Sequence, residues 1–159
     1  ILHSPVYPGS KLQRVWQKME EFYDKKEVGA LGISNCYDLD VLKYLFNNAK
    51  VKPSIVQNRF YAQSGYDKEL RAFCKQNNIT YESFWSLTAN PNILASEVLQ
   101  NLSVKYQKGV AEIFYRFLNH IDIVPLNGTT STKHMIEDLK IGEFELTKDE
   151  INSILNLLN

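Results

Sequence analysis

Two hydrophobic periods alternate along the chain. Over residues 11–25 (KLQRVWQKMEEFYDK), Leu12, Val15, Trp16, Met19 and Phe22 fall on one stripe at helical spacing, which predicts an amphipathic helix with those side chains inward. Residues 29–34 (GALGIS) follow as a short run of small apolar residues, the pattern of a buried strand. Asp38 stands where an N-cap is needed, ahead of a second helix to about Ala49 with Leu39, Leu42, Leu45 and Phe46 inward. Lys52-Pro53 ends it. Residues 54–57 (SIVQ) read as the next strand, 67–76 as a helix closed by Asn77-Asn78, and 79–85 (ITYESFW) as a strand again. Residues 95–106 and 109–120 read as two helical segments split at Lys108-Gly109, and 121–125 (IDIVP) as the last strand. A Gly-Thr-Thr-Ser loop leads into a short helix over 132–139. The chain closes on a helix over 147–158, where Thr147 and Glu150 have capping-box spacing.

Strands that alternate with helices at this spacing imply right-handed βαβ units and a parallel sheet of about five strands, counting a stub at residues 1–3. The chain has 159 residues, and no linker, low-complexity segment or charge block interrupts it, so residues 1–159 are expected to form a single domain. Hydrophobic residues make up 44% and charged residues 23%, with formal net charge +0. That balance gives no bulk attraction for nucleic acid or an anionic membrane, and no apolar run is long enough to span a bilayer. Cys36 and Cys74 have neither CxxC spacing nor a framework count, and they read as reduced thiols in a cytosolic (cytoplasmic) protein; no metal site is expected. Three N-x-S/T triplets, at Asn78, Asn101 and Asn127, carry no weight without a secretory signal.

In parallel α/β folds the chemistry sits at the carboxyl ends of the strands. The residues at or just past those ends are His3, then Ser34-Asn35, then Gln57-Asn58-Arg59, then Trp85-Ser86-Leu87, then residues 126–130 (LNGTT). They are expected on one rim. Their hydroxyls and amides suit a neutral carboxamide, and Trp85 offers a face for a flat ring.

Seven segments occur in order over nearly the whole chain: ILHSP, GALGISN, KPSIVQNRF, GYDKELRAFC, SFWSLTANP, KGVAEIFYRFL and IVPLNGTTSTKHMIEDL. Together they resemble the C-terminal part of the aldo-keto reductases, (β/α)8 TIM barrels that use NADPH or NADH, and their wording is most similar to fungal members. By this resemblance ILHSP matches the end of the fourth barrel strand. The chain then covers about strands four to eight plus a C-terminal helix, and lacks the first three βα units.

The resemblance implies roles residue by residue. His3 matches the histidine that orients the substrate carbonyl. Ser34, Asn35 and Gln57 match the residues that grip the nicotinamide carboxamide. Trp85 matches an aromatic ring against the nicotinamide, and Ser86 and Leu87 begin the loop along the pyrophosphate. Asn127, Gly128, Thr129, Thr130, Lys133 and His134 match the adenosine-phosphate region, where a helix N-terminus favours phosphate. Glu137 and Asp138 match the pair that meets the adenine. Many members carry Lys-Ser after the Pro and an Arg in the helix; here those places read Leu126-Asn127 and His134, which weakens a strict preference for NADPH over NADH. The family's catalytic Tyr, Lys and Asp belong to segments not found in these 159 residues, and Tyr7, Tyr61 and Tyr81 cannot replace the Tyr by position.

Two readings of function follow. In the first, the chain represents an NAD(P)H-dependent oxidoreductase that reduces small aldehydes or ketones, and is inactive by itself. In the second, it is a non-catalytic half-barrel acting as a nucleotide-binding or scaffold protein. A half-barrel would leave strand edges and inward residues such as Ile33, Val56 and Val124 uncovered, so it is expected to self-associate or pair with the missing half. Residue by residue, structural roles stay open beside functional ones: Ser34-Asn35 as a turn cap, Trp85 as core, His120 as structural. Trp16, Phe22 and the Phe114-Phe117 stripe are expected to pack.

Overall fold

A computed structural model describes residues 1–158. Helix α1 (Gly9–Asp24) buries Leu12 and Trp16, and the Trp16 indole N–H donates to the Val51 carbonyl at 2.9 Å. The next residue on that row is Glu20, which is buried and accepts from the Val51 N–H at 2.9 Å. This corrects the expectation for Phe22, which is 49% exposed. The row Leu12, Trp16, Glu20 runs at i, i+4, and the Glu20 hydrogen bond rather than hydrophobicity fixes which side of the last turns faces inward.

Strand β1 (Gly32–Ser34) leads to helix α2 (Leu39–Asn48), whose cap Asp38 accepts from the N–H groups of Asp40 and Val41. Strand β2 (Ile55–Arg59) is followed by a kinked turn and helix α3 (Lys68–Gln76), then strand β3 (Thr80–Phe84). The expected helix over 95–106 is preceded by a further short helix. Helix α4 (Pro91–Leu94) has Pro at its start, and Ser96 caps helix α5 (Glu97–Tyr106). Gln107, at φ 53°, ends α5 before helix α6 (Val110–His120). Strand β4 (Ile123–Pro125), helix α7 (Thr132–Leu139) and helix α8 (Lys148–Leu155) complete the order.

The strands neighbour one another in the order β1-β2-β3-β4, and β1 pairs with β2 in parallel. The stub at residues 1–3 is a single bridge rather than a strand. The Leu2 N–H donates to Gly32 O and the Ser34 N–H to Leu2 O, both at 2.8 Å, and only Leu2 pairs with Ile33. Ile33 and Val56 do not stand uncovered, as expected from an open barrel wall; each is fully buried. Side chains alternate along a strand, so in β2 Val56 and Asn58 face the core, while Ile55, Gln57 and Arg59 face the more open side. Val124 in β4 is 45% exposed, as expected.

The chain divides into two compact units. One comprises Ile1–Asn58 and Asp67–Glu82, with its core on Leu12, Trp16, Ile33, Leu42, Leu45, Val56 and Leu70. The other comprises Arg59–Tyr66 and the chain from Ser83 onward, with its core on Phe60, Leu99, Ile113, Phe114, Phe117, Leu118 and Ile154. In the second unit the Leu146 N–H donates to His120 Nε2 at 3.2 Å, a packing role for that histidine. No helix among the described residues is long and apolar enough to cross a membrane.

Helix α8 carries the capping box expected at Thr147 and Glu150. Burial pushes the Glu150 carboxyl up, but hydrogen bonds from Lys105, the Thr147 N–H and Tyr106 outweigh this and hold it at about 2, below an ordinary 4.5. A depressed carboxyl stabilises the fold above its unfolded value and loses that contribution as pH falls through its folded one. The stability gap between wild type and Glu150→Gln is therefore expected to close between pH 4.5 and about 2 in urea titrations. A gap that stays constant over that range would show that Glu150 is not the group responsible.

Candidate functional site

In the first unit, four of the residues picked out from the sequence are joined by hydrogen bonds. Asn35 leaves β1 at φ 52°, a left-handed conformation that Asn tolerates and that turns the chain. Its N–H donates to the Gln57 carbonyl at 3.1 Å. Its side-chain amide donates to the His3 carbonyl at 2.8 Å and to Ser34 Oγ at 3.3 Å. The Ser34 hydroxyl, almost fully buried, donates to the Gln57 carbonyl at 2.7 Å. His3, Ser34, Asn35 and Gln57 thus meet at the carboxyl ends of β1 and β2. The turn role and the binding role open for Ser34-Asn35 are compatible, since the backbone makes the turn while the side chains hold it.

The Gln57 amide donates to Glu82 Oε2 at 2.8 Å. Glu82 was not picked out from the sequence; it meets Gln57 because β2 and β3 are neighbours in the sheet, which no local pattern signals. Gln57 Oε1 and the second Nε2 hydrogen have no partner among the described residues. One acceptor and one donor side by side suit a carboxamide, which presents the complementary pair.

Asn58 does not lie on the rim. It is fully buried, on the opposite side of β2 from Gln57. Its amide reaches Cys36 and Asp67, and Asp67 also accepts from the Tyr81 hydroxyl at 2.8 Å. Burial, then the Asp67 charge, pushes the Tyr81 hydroxyl far above the ordinary tyrosine range, so it stays a donor. Asp67 follows Gly65 and Tyr66 in a run of positive φ (58°, 54° and 50°), strained for the last two, and its buried hydrogen bonds oppose that strain. This unit also has an apolar hollow of about 420 Å³ beside Tyr7 and Tyr44; no residue picked out for binding lines it.

In the second unit Trp85 is 56% exposed at φ 57°. It is therefore not core, and the Arg59 guanidinium lies 4.1 Å from its ring centroid, with Tyr61 at 5.3 Å from the same group. Ser86 is buried and its hydroxyl pairs with that of Ser83 at 2.8 Å, so its side chain faces inward. Leu87, Asn127, Gly128, Thr129, His134, Glu137 and Asp138 line one pocket of about 340 Å³. Its floor is Glu112 and Tyr115 of α6, which the sequence offered only as helix positions. Ser131 caps α7 by accepting from the His134 N–H at 3.3 Å, and Asn127 donates to Asp138 at 2.7 Å. Burial raises the Asp138 carboxyl, His134 opposes this, and Glu112 and Glu137 add to it. Burial, then Asp138, pushes the Tyr115 hydroxyl up to about 12. Thr130 and Lys133 are exposed and do not line the pocket; Lys133 pairs with Glu137 at 3.6 Å.

The model of the Aldo/keto reductase family matches residues 1–159. The chain belongs to the aldo/keto reductase family. A glyoxal reductase of Bacillus subtilis is 30% identical over 149 residues, covering 93% of this chain and 53% of that protein. An NADPH-dependent alpha-keto amide reductase of Saccharomyces cerevisiae is 25% identical, covering 99% and 54%. This aldo/keto reductase chain thus spans about half the length of the curated relatives it matches. Among solved structures, an aldo-keto reductase from a Medee basin deep-sea metagenome superposes with a TM-score of 0.88 at 24% identity, over 99% of this chain and 58% of that one. A silkworm (Bombyx mori) aldo-keto reductase complexed with NADPH gives 0.75 at 21%, over 89% and 46%. Those likenesses establish the α/β fold with parallel strands.

Proposed function

We propose that these residues form the cofactor-holding part of an NAD(P)H-dependent reductase of small aldehydes or ketones, corresponding to strands four to eight of a single (β/α)8 barrel domain. The observation that carries this reading is the hydrogen-bonded set of His3, Ser34, Asn35 and Gln57. Gln57 keeps an acceptor and a donor for a carboxamide, and Glu82 holds the Gln57 side chain in place. Trp85, pinned by Arg59, presents a flat surface to a planar ring. The pocket bounded by Leu87, Asn127 and α7 has the size and largely apolar lining for an adenosine, with Glu137 and Asp138 as acceptors for an amino group.

When bound, the dinucleotide supplies the hydride. The chain's own residues bind it, fix the nicotinamide face and, through His3, orient the carbonyl oxygen where negative charge develops. A proton donor comes from outside these 159 residues. The names of relatives point to carbonyl reduction, and substrates of that class are proposed here by kinship.

The test is quenching of tryptophan fluorescence by NADPH and, separately, by NADH. Saturable quenching is the expected result. A folded protein that shows none with either cofactor would overturn the reading.

A further inference from the structure

A fully buried asparagine on a strand's core face calls for explanation, since an apolar residue there would avoid desolvating an amide. Asn58 meets the requirement with three hydrogen bonds. Its Oδ1 accepts from the Cys36 N–H at 2.9 Å, and its Nδ2 donates to the Cys36 carbonyl at 2.8 Å and to Asp67 Oδ2 at 2.7 Å. Two acceptors demand both amide hydrogens, so the network fixes which end of the amide is nitrogen.

The pairing with Cys36 has a specific geometry. β1 ends at Ser34, and Asn35 turns the backbone away at φ 52°. Cys36, one residue later, has lost its strand partner, and the Asn58 side chain supplies both halves of a backbone pairing there. The turn that carries Ser34 and Asn35 is therefore held on both sides. The Gln57 carbonyl holds Ser34 and Asn35, and the Asn58 amide holds Cys36. Asp67, which also accepts from Tyr81, stops the Asn58 amide from rotating.

We propose that Asn58 is a positioning residue for the nicotinamide end of the site: it sets the angle at which Ser34 and Asn35 leave β1, and so whether they converge with Gln57 on one carboxamide. The inference rests on the cofactor reading above. It gives Asn58 a selective effect, because the adenosine pocket lies in residues Asn58 does not touch.

The experiment compares wild type with Asn58→Ala for binding of NADH and NADPH, and of ADP-ribose, which lacks the nicotinamide. The expected result is about a tenfold or greater loss for the dinucleotides, with ADP-ribose affinity unchanged within about twofold. Equal losses for all three, or no loss, would overturn the proposal. Should the variant fail to fold, hydrogen exchange of the wild-type Cys36 amide decides: NADH is expected to slow it and ADP-ribose to leave it unchanged, and no difference between them would overturn the proposal. If wild type binds neither dinucleotide, the cofactor reading fails first; if it binds and the variant keeps the wild-type ratio, only the role of Asn58 fails.

Discussion

Exchanging Asp67 for alanine is expected to lower stability by about 2–6 kcal/mol, the range for leaving two buried donors without an acceptor at about 1–3 kcal/mol each. Two buried donors, the Asn58 amide and the Tyr81 hydroxyl, lose their shared acceptor. Alanine would also have to sit at φ 50°, where a side chain without a local hydrogen bond adds about 1–2 kcal/mol. Asp67→Asn tolerates that conformation and keeps an oxygen for Tyr81, so it is expected to fall between alanine and wild type. Urea midpoints of the three proteins test this. An alanine variant as stable as wild type would mean that the network contributes little.

The second large effect concerns the carboxamide grip. Alanine at position 35 would confuse binding with strain, because Asn35 has φ 52°. Glycine accepts that conformation and removes only the side chain. Methionine at position 57 keeps the length of Gln57 and removes its amide. The double variant Asn35→Gly, Gln57→Met is expected to weaken NAD(P)H binding by about 10–100-fold, on the scale of lost hydrogen bonds at a desolvated site. ADP-ribose binding should be unaffected. Isothermal titration reads both; undiminished dinucleotide affinity would remove these residues from the site.

Local signals made much of this legible. Asp38, and Thr147 with Glu150, cap helices as their spacing implies, because capping depends on neighbours within one turn. Periodicity found the helices and strands but misjudged faces where a polar group is buried for a distant partner. Glu20 takes the inward place read for Phe22 because the Val51 backbone, 31 residues away, needs an acceptor. Asn58 seemed part of the rim with Gln57, yet strand alternation sends neighbours to opposite faces, and its partners at Cys36 and Asp67 lie 22 and 9 residues off. Ile33 and Val56 are fully buried although an open barrel wall predicts them uncovered, since the strand pattern does not say which face of the sheet is filled. The pairing of Gln57 with Glu82 requires knowing which strands are adjacent, which one-dimensional pattern does not supply. Ordered motifs carried the family, and with it the grouping of His3, Ser34, Asn35 and Gln57, further than periodicity alone could.

The two cysteines make the protein its own clock. Cys36 and Cys74 are at most 1% exposed, and burial, reinforced for Cys36 by Asp38 and for Cys74 by the other thiol, pushes both up to about 12. At neutral pH neither presents a thiolate, so an alkylating reagent reacts only when the chain opens. Cys36 sits on the turn that Asn58 secures, and Cys74 sits on the buried face of helix α3, in its last turn. The ratio of their labelling rates therefore separates a brief lifting of that turn from the loss of the surrounding fold, with no reporter group added.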